Sequence, residues 1–165
     1  MYNGPMAQRL ALPLLAVLLV VAGCASREVE NDLMIVDVHG GWYDAGIVEG
    51  GMNKLVPSVS LRLQNVSDRE ISSVQLNAIF RRVGEEQAWG EHFVRGIGPE
   101  GLAPGATTEP IVLRSTLGYT GAQARLQMLQ NREFVDAKVD VFGKHGSRVW
   151  VRMGEYPIER QLLTE

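Results

Sequence analysis

Residues 135–153, VDAKVDVFGKHGSRVWVRM, decide the fold. Val135, Ala137, Val139 and Val141 alternate with Asp136, Lys138, Asp140 and Phe142, and Val149, Val151 and Met153 alternate with Trp150 and Arg152. A period of two belongs to a β-strand, whose successive side chains point to opposite faces, so each run has one buried and one solvated side. Between the runs, residues 143–147 (GKHGS) turn the chain, and the whole reads as a hairpin.

The same period recurs upstream. Val59, Leu61 and Leu63 alternate with Ser60, Arg62 and Gln64, and Val74, Leu76, Ala78 and Phe80 share a face opposed by Gln75, Asn77 and Arg81. Residues 65–70 (NVSDRE) form a turn cluster between these strands. Residues 101–105 (GLAPG) form a second turn, in which Pro104 fixes φ and Gly105 is free to take a positive one. Short strands are also expected at 33–38, 89–97 and 107–115, with a glycine-rich connection at 40–51, a loop at 117–120 and a polar-tipped tail from 158. Helical character is confined to residues 122–130 (AQARLQMLQ), with Leu126, Leu129 and Met128 as its apolar side. About seven strands with one short helix predict an all-β protein, an antiparallel two-sheet sandwich. A parallel α/β sheet would need helices between its strands.

Composition narrows the functional classes. The chain has 165 residues, 45% hydrophobic and 21% charged, which suits one domain with a proper core. Its formal net charge is −3 and it has no long basic run, so no nucleic acid is expected as partner, since a phosphate backbone needs a concentrated positive face. A single cysteine, Cys24, excludes an intrachain disulfide and a multi-thiolate zinc site.

That cysteine follows an export signal. Residues 1–23 carry one charged side chain, Arg9, just before the apolar run 10–20 (LALPLLAVLLV). The run is shorter than the roughly 20 residues of a spanning helix and holds Pro13. Val20-Val21-Ala22-Gly23-Cys24 resembles the bacterial lipobox, in which an apolar residue and two small ones precede an obligatory cysteine. The resemblance implies cleavage between Gly23 and Cys24, acyl chains at the Cys24 thiol, a lipidated tether over residues 24–31 and a folded domain over 32–160. It also implies a lipid-anchored place in the cell envelope, with the membrane as partner. Ala25, where an aspartate would favour inner-membrane retention, points to the outer membrane facing the periplasm.

Residues 59–113 are similar to the small immunoglobulin-like domains of bacterial envelope proteins, especially the FxLYD type. The likeness is carried by the Asn65-Val66-Ser67-Asp68 turn, by the strand from Val74 to Phe80 and by the turn at 101–105, with Ala78-Ile79-Phe80-Arg81 near the place of the family's signature. It implies an immunoglobulin-like sandwich and brings no catalytic residue with it.

The remaining residues offer little chemistry. His39, His92 and His145 are far apart in sequence. Asp37 and His39, two apart on a strand, could share a face, but no HExxH accompanies them. There is no GxSxG, and the glycines at 40–51 lack the Lys-Ser/Thr ending of a phosphate loop. Asp136, Lys138 and Asp140 read as a solvated charged ladder. No catalytic residue, metal ligand or cofactor is assigned. Trp42 and Tyr43, with Trp89 as a neighbour, either present rings to a partner or a glycan, or form a staple closing one end of the sandwich; the staple is favoured, because large aromatics are mostly buried. The leading expectation is a non-enzymatic envelope lipoprotein whose domain binds or scaffolds an envelope protein through an open sheet edge or end loops. A peptidoglycan or glycan binder using those three rings comes second, and a metal-dependent enzyme using His39 third.

Overall fold

A computed structural model of the chain describes residues 29–163. The signal segment 1–23, the Gly23–Cys24 junction and Cys24 itself lie outside the described residues, and so does most of the tether.

The strands are β1 (Leu33–Val48), β2 (Met52–Asn65), β3 (Val74–Arg82), β4 (Ala88–Ile97), β5 (Ile111–Arg114), β6 (Tyr119–Gly121), β7 (Ala137–His145), β8 (Val151–Ile158) and β9 (Leu162–Leu163). Two short helices, α1 (Val29–Asp32) and α2 (Arg125–Gln130), complete the elements. One sheet has the order β5-β2-β1-β9, with β6 also on β2, and the other has β4-β3-β7-β8. Every pairing is antiparallel except β1 with β9. The protein is an all-β, immunoglobulin-like sandwich.

The alternating runs do what their period dictates. Leu55, Val59, Leu61, Leu63 and Leu113 from one sheet meet Val74, Leu76, Ala78, Phe80, Val139 and Val141 from the other, all fully buried. Each of the larger side chains contributes about 2 kcal/mol by leaving water. The strand count exceeds seven because two short segments, β6 and β9, add to edges that the sequence left unassigned.

Four expectations are corrected. The glycine-rich stretch 40–51 is mostly strand, since β1 runs on to Val48 and only residues 49–51 turn, with Gly50 and Gly51 at positive φ. Gly40 and Gly41 serve closeness instead. A Cβ on Gly40 would stand 2.6 Å from the Pro157 carbonyl oxygen, and one on Gly41 would stand 2.7 Å from the Leu163 side chain. The tail from residue 158 is not loose, for Ile158 is buried and Leu162 and Leu163 pair with Trp42 and Tyr43. The helix begins only at Arg125, because β6 takes residues 119–121 into the sheet; Met128 and Leu129 are buried while Leu126 is 59% exposed. The polar tether also ends sooner than expected, with Val29 already buried against the sandwich.

The two turns behind the family likeness meet at Asn65, which is fully buried. Its Nδ2 donates to the carbonyls of Arg69 (2.7 Å) and Leu102 (2.8 Å), and its Oδ1 accepts from Ser67 N (3.0 Å) and Ser67 Oγ (2.7 Å). Its backbone continues the link, donating to Ala106 O and accepting from Gly105 N. One amide thus ties the 65–70 turn to the 101–105 turn.

Candidate functional site

The three aromatic candidates do not share a rim. Trp42, on the inner face of β1, is fully buried. Around it stand Trp89 (ring centroids 6.1 Å apart), Tyr119 (5.6 Å) and Phe134 (4.6 Å). Arg82 lies over Trp89 and Arg160 over Phe134. Arg160 also donates to the Phe134 carbonyl and pairs with Asp136, whose hydrogen bond holds the guanidinium above its ordinary pKa. This is a closed aromatic plug with cationic lids. Tyr43 faces the other way, with the Arg114 guanidinium 3.5 Å from its ring centre. A glycan platform made of Trp42, Tyr43 and Trp89 is therefore not formed: Trp42 has no exposed surface, and Tyr43 is on the opposite side of the strand. The staple reading describes what Trp42 and Trp89 do.

The histidines stay apart in role. His92 Nδ1 accepts from the Arg114 backbone N–H (2.9 Å), joining β4 to β5 across the two sheets. His39 is exposed on β1, and His145 ends β7. Among the described residues no group of three or more His, Cys, Asp or Glu gathers as a metal would need. Asp37 sits at a bulge with φ +51° and pairs loosely with Arg62 at 3.8 Å.

The charged ladder on β7 is not fully solvated. Asp140 is buried and held by Arg81 of β3 and Arg152 of β8, with Arg152 Nε at 2.7 Å. Arg152 reaches on to Glu155, which also takes Lys138 at 3.0 Å. Hydrogen bonding to Asp140, then its charge, raises the Arg152 pKa further. Both arginines belong to strands that flank β7, so only the pairing register reveals the cluster.

The most open feature is a sheet edge. β9 lies along β1 only at Trp42 and Tyr43. Residues 33–39 of β1 have β2 on one side and no strand on the other among the described residues. Facing them across the sandwich is β8, the last strand of its sheet. Between the two edges runs a groove of about 400 Å³ lined by Leu33, Met34, Ile35, Val66, Met153 and Tyr156. Met34 is 48% and Val66 52% exposed, an apolar lining open to solvent. Burial pushes the Tyr156 phenol above its ordinary value of 10.0, so it stays neutral at physiological pH. β8 is blunted for strand addition by Pro157 and by a bulge opposite residues 141–142. The first half of β1 carries no such block before its own bulge at residues 37–38.

No family model matches the chain, and no curated protein does. Solved structures similar in outline include the structural-genomics target SoR45, at 10% identity over 79% of this chain and 89% of that one, TM-score 0.44. Another is a Bordetella pertussis protein described as ApaA, at 17% identity over 77% and 92%, TM-score 0.39. A third is the ligand-binding region of serine-glutamate repeat protein A of Enterococcus faecium, at 9% over 72% and 90%, TM-score 0.30. At such scores nothing about ligand or partner passes from them to this chain.

Proposed function

We propose that the protein is a non-catalytic lipoprotein of the bacterial envelope, anchored through acyl chains on Cys24, whose sandwich captures an extended segment of an envelope protein along the first half of β1. The observation that carries this reading is the half-occupied edge. The chain's own residues 162–163 already add to β1 at Trp42 and Tyr43, while residues 33–36, beside the apolar groove and before the bulge, have no strand next to them among the described residues. Strand addition supplies affinity through main-chain hydrogen bonds and specificity through alternate side chains entering a groove. The lipobox-like residues 20–24 support the anchor, and the absence of a recognisable catalytic motif in the sequence supports a binding role.

Two measurements test it. Intact mass of the protein from its native envelope should show acylation at Cys24. A photo-crosslinking amino acid at Met34 should give a discrete protein adduct in intact cells, and one at exposed Leu117 should not. An unmodified thiol sinks the anchor; no adduct at 34, or the same adduct at 117, sinks the edge.

A further inference from the structure

A second exposed surface lies on the outer face of the β4-β3-β7-β8 sheet, where β7 gives way to the turn at 146–150. Val149 is 73% exposed, Phe93 58% and Trp150 37%. Trp150 folds back to pack edge-on against Phe93, ring centroids 5.9 Å apart at 65°. Lys144 Nζ sits 4.9 Å from the Trp150 ring centre. The turn is stitched down, with Gly146 N donating to Ser73 O at 3.0 Å, so these side chains ride on a fixed corner.

The strand register arranges the chemistry in rows. Lys144, Gln75 and Arg95 stand side by side across β7, β3 and β4, and the next row holds Phe142, Asn77 and Phe93. The aromatic row thus has two cations on one side and, on the other, Asp140 and Glu91, of which Asp140 is already paired with Arg81 and Arg152. Lone exposed apolar residues need no explanation, but a contiguous set fixed in place marks a contact surface. Tryptophan beside lysine and arginine is the composition that settles at a lipid–water boundary, with the ring among the headgroups and the cations on phosphates.

The position of the chain's beginning says which partner this is. Val29 packs so close to β7 that its Cγ1 lies 3.0 Å from where a Cβ on Gly143 would stand, and Val29 and His145 line one small cavity. The first described residue therefore enters at the same end of the sandwich as the corner, on the core side of β7, with the aromatic pair on the outer face of that sheet. From Val29 back to Cys24 the chain can reach at most about 18 Å. Resting on the reading that Cys24 is acylated, we propose that Trp150 and Phe93 seat in the interface of the bilayer that holds the anchor, with Lys144 and Arg95 against anionic lipid phosphates. The acyl chains tether the sandwich, and the corner fixes its orientation.

The test uses the mature lipoprotein purified from envelopes in mild detergent and reconstituted into phosphatidylethanolamine–phosphatidylglycerol vesicles, with or without acyl chains brominated near the headgroup. After flotation, the emission of the wild-type protein should be quenched by the brominated lipid. Quenching should vanish in Trp150→Phe and weaken in the Lys144→Glu/Arg95→Glu pair, while Trp42 is too deep to contribute and Trp89, half-buried under Arg82, lies at the other end of the β3–β4 pair from the Lys144 row. Protein that floats with unquenched emission, or quenching that survives Trp150→Phe, overturns the corner and leaves the anchor standing. Protein that fails to float overturns both. A second protein cross-linked through residue 150 in intact cells, without lipid quenching, assigns the corner to a protein and overturns the proposal.

Discussion

Replacing Asn65 should unpin two turns at once. Its side chain makes four hydrogen bonds from a fully buried position. Asn65→Ala removes all four and leaves the Leu102 and Arg69 carbonyls and the Ser67 N–H without that partner. A hydrogen bond contributes about 1 kcal/mol net, and a buried group left unpaired costs about 1–3. Ser67 and Arg69 are half-buried, and water can recover part of their loss, so the expected cost is about 3 kcal/mol. For a folded region of this size that lowers the melting temperature by about 10 °C. Asn65→Asp discriminates further, because it keeps the acceptor for Ser67 and sets a carboxylate against two carbonyl oxygens. At neutral pH it should be at least as damaging as alanine. Burial and those carbonyls raise the pKa of the new carboxyl in the folded state, so stability relative to Asn65→Ala should be present at low pH and lost as pH rises through that value. Urea denaturation of both variants between pH 5 and 8, followed by circular dichroism, reads these differences. A loss below about 1 kcal/mol in Asn65→Ala, or wild-type stability in Asn65→Asp, would refute the account.

Other expectations follow from the same packing. Asp140→Ala should cost about 2 kcal/mol, the penalty for stranding Arg81 among packed strands, discounted because Arg152 is half-exposed. Asp136→Ala, which breaks only the more exposed Arg160 pair, should lower the melting temperature visibly less in the same thermal scan. Trp42→Ala empties the centre of the aromatic plug and should cost about 4 kcal/mol, measured as a shift of the urea midpoint with little change in slope. The raised Tyr156 pKa means that the folded state keeps a phenol proton that the unfolded chain releases. Its contribution is full below about pH 10 and is lost as pH climbs further. Tyr156→Phe should flatten that alkaline decline in melts at pH 9 and 11.

Local periodicity made the core legible. The strands centred on Leu61, Leu76 and Val139 could be read because each alternates against solvent along its own length. Gly40 and Gly41 misled because glycine permits two things, a turn or the close approach of another segment, and only the approach of Pro157 and Leu163 decides between them. Asp140 looked solvated because Arg81 and Arg152 lie 59 and 12 residues away along the chain. Trp42 and Trp89 were legible as a staple, but their neighbours Tyr119 and Phe134 were not, lying 77 and 92 residues beyond Trp42 along the chain. The groove beside β1 had no signal at all in the sequence. It is the space left where one edge strand is only partly covered, a property of the pairing and not of any residue. The corner around Trp150 was visible only as one aromatic among outward positions of a hairpin, because its contact with Phe93 depends on the turn folding back.

The parallel contact of β9 has a further consequence. Trp42 and Tyr43 receive their second strand neighbour from residues 162 and 163, the whole width of the domain later in the chain. Those two leucines act as a latch on the middle of β1. Where they lie, the main chain of Trp42 and Tyr43 is closed to a strand from a neighbouring molecule, so the latch also guards that stretch of edge against association.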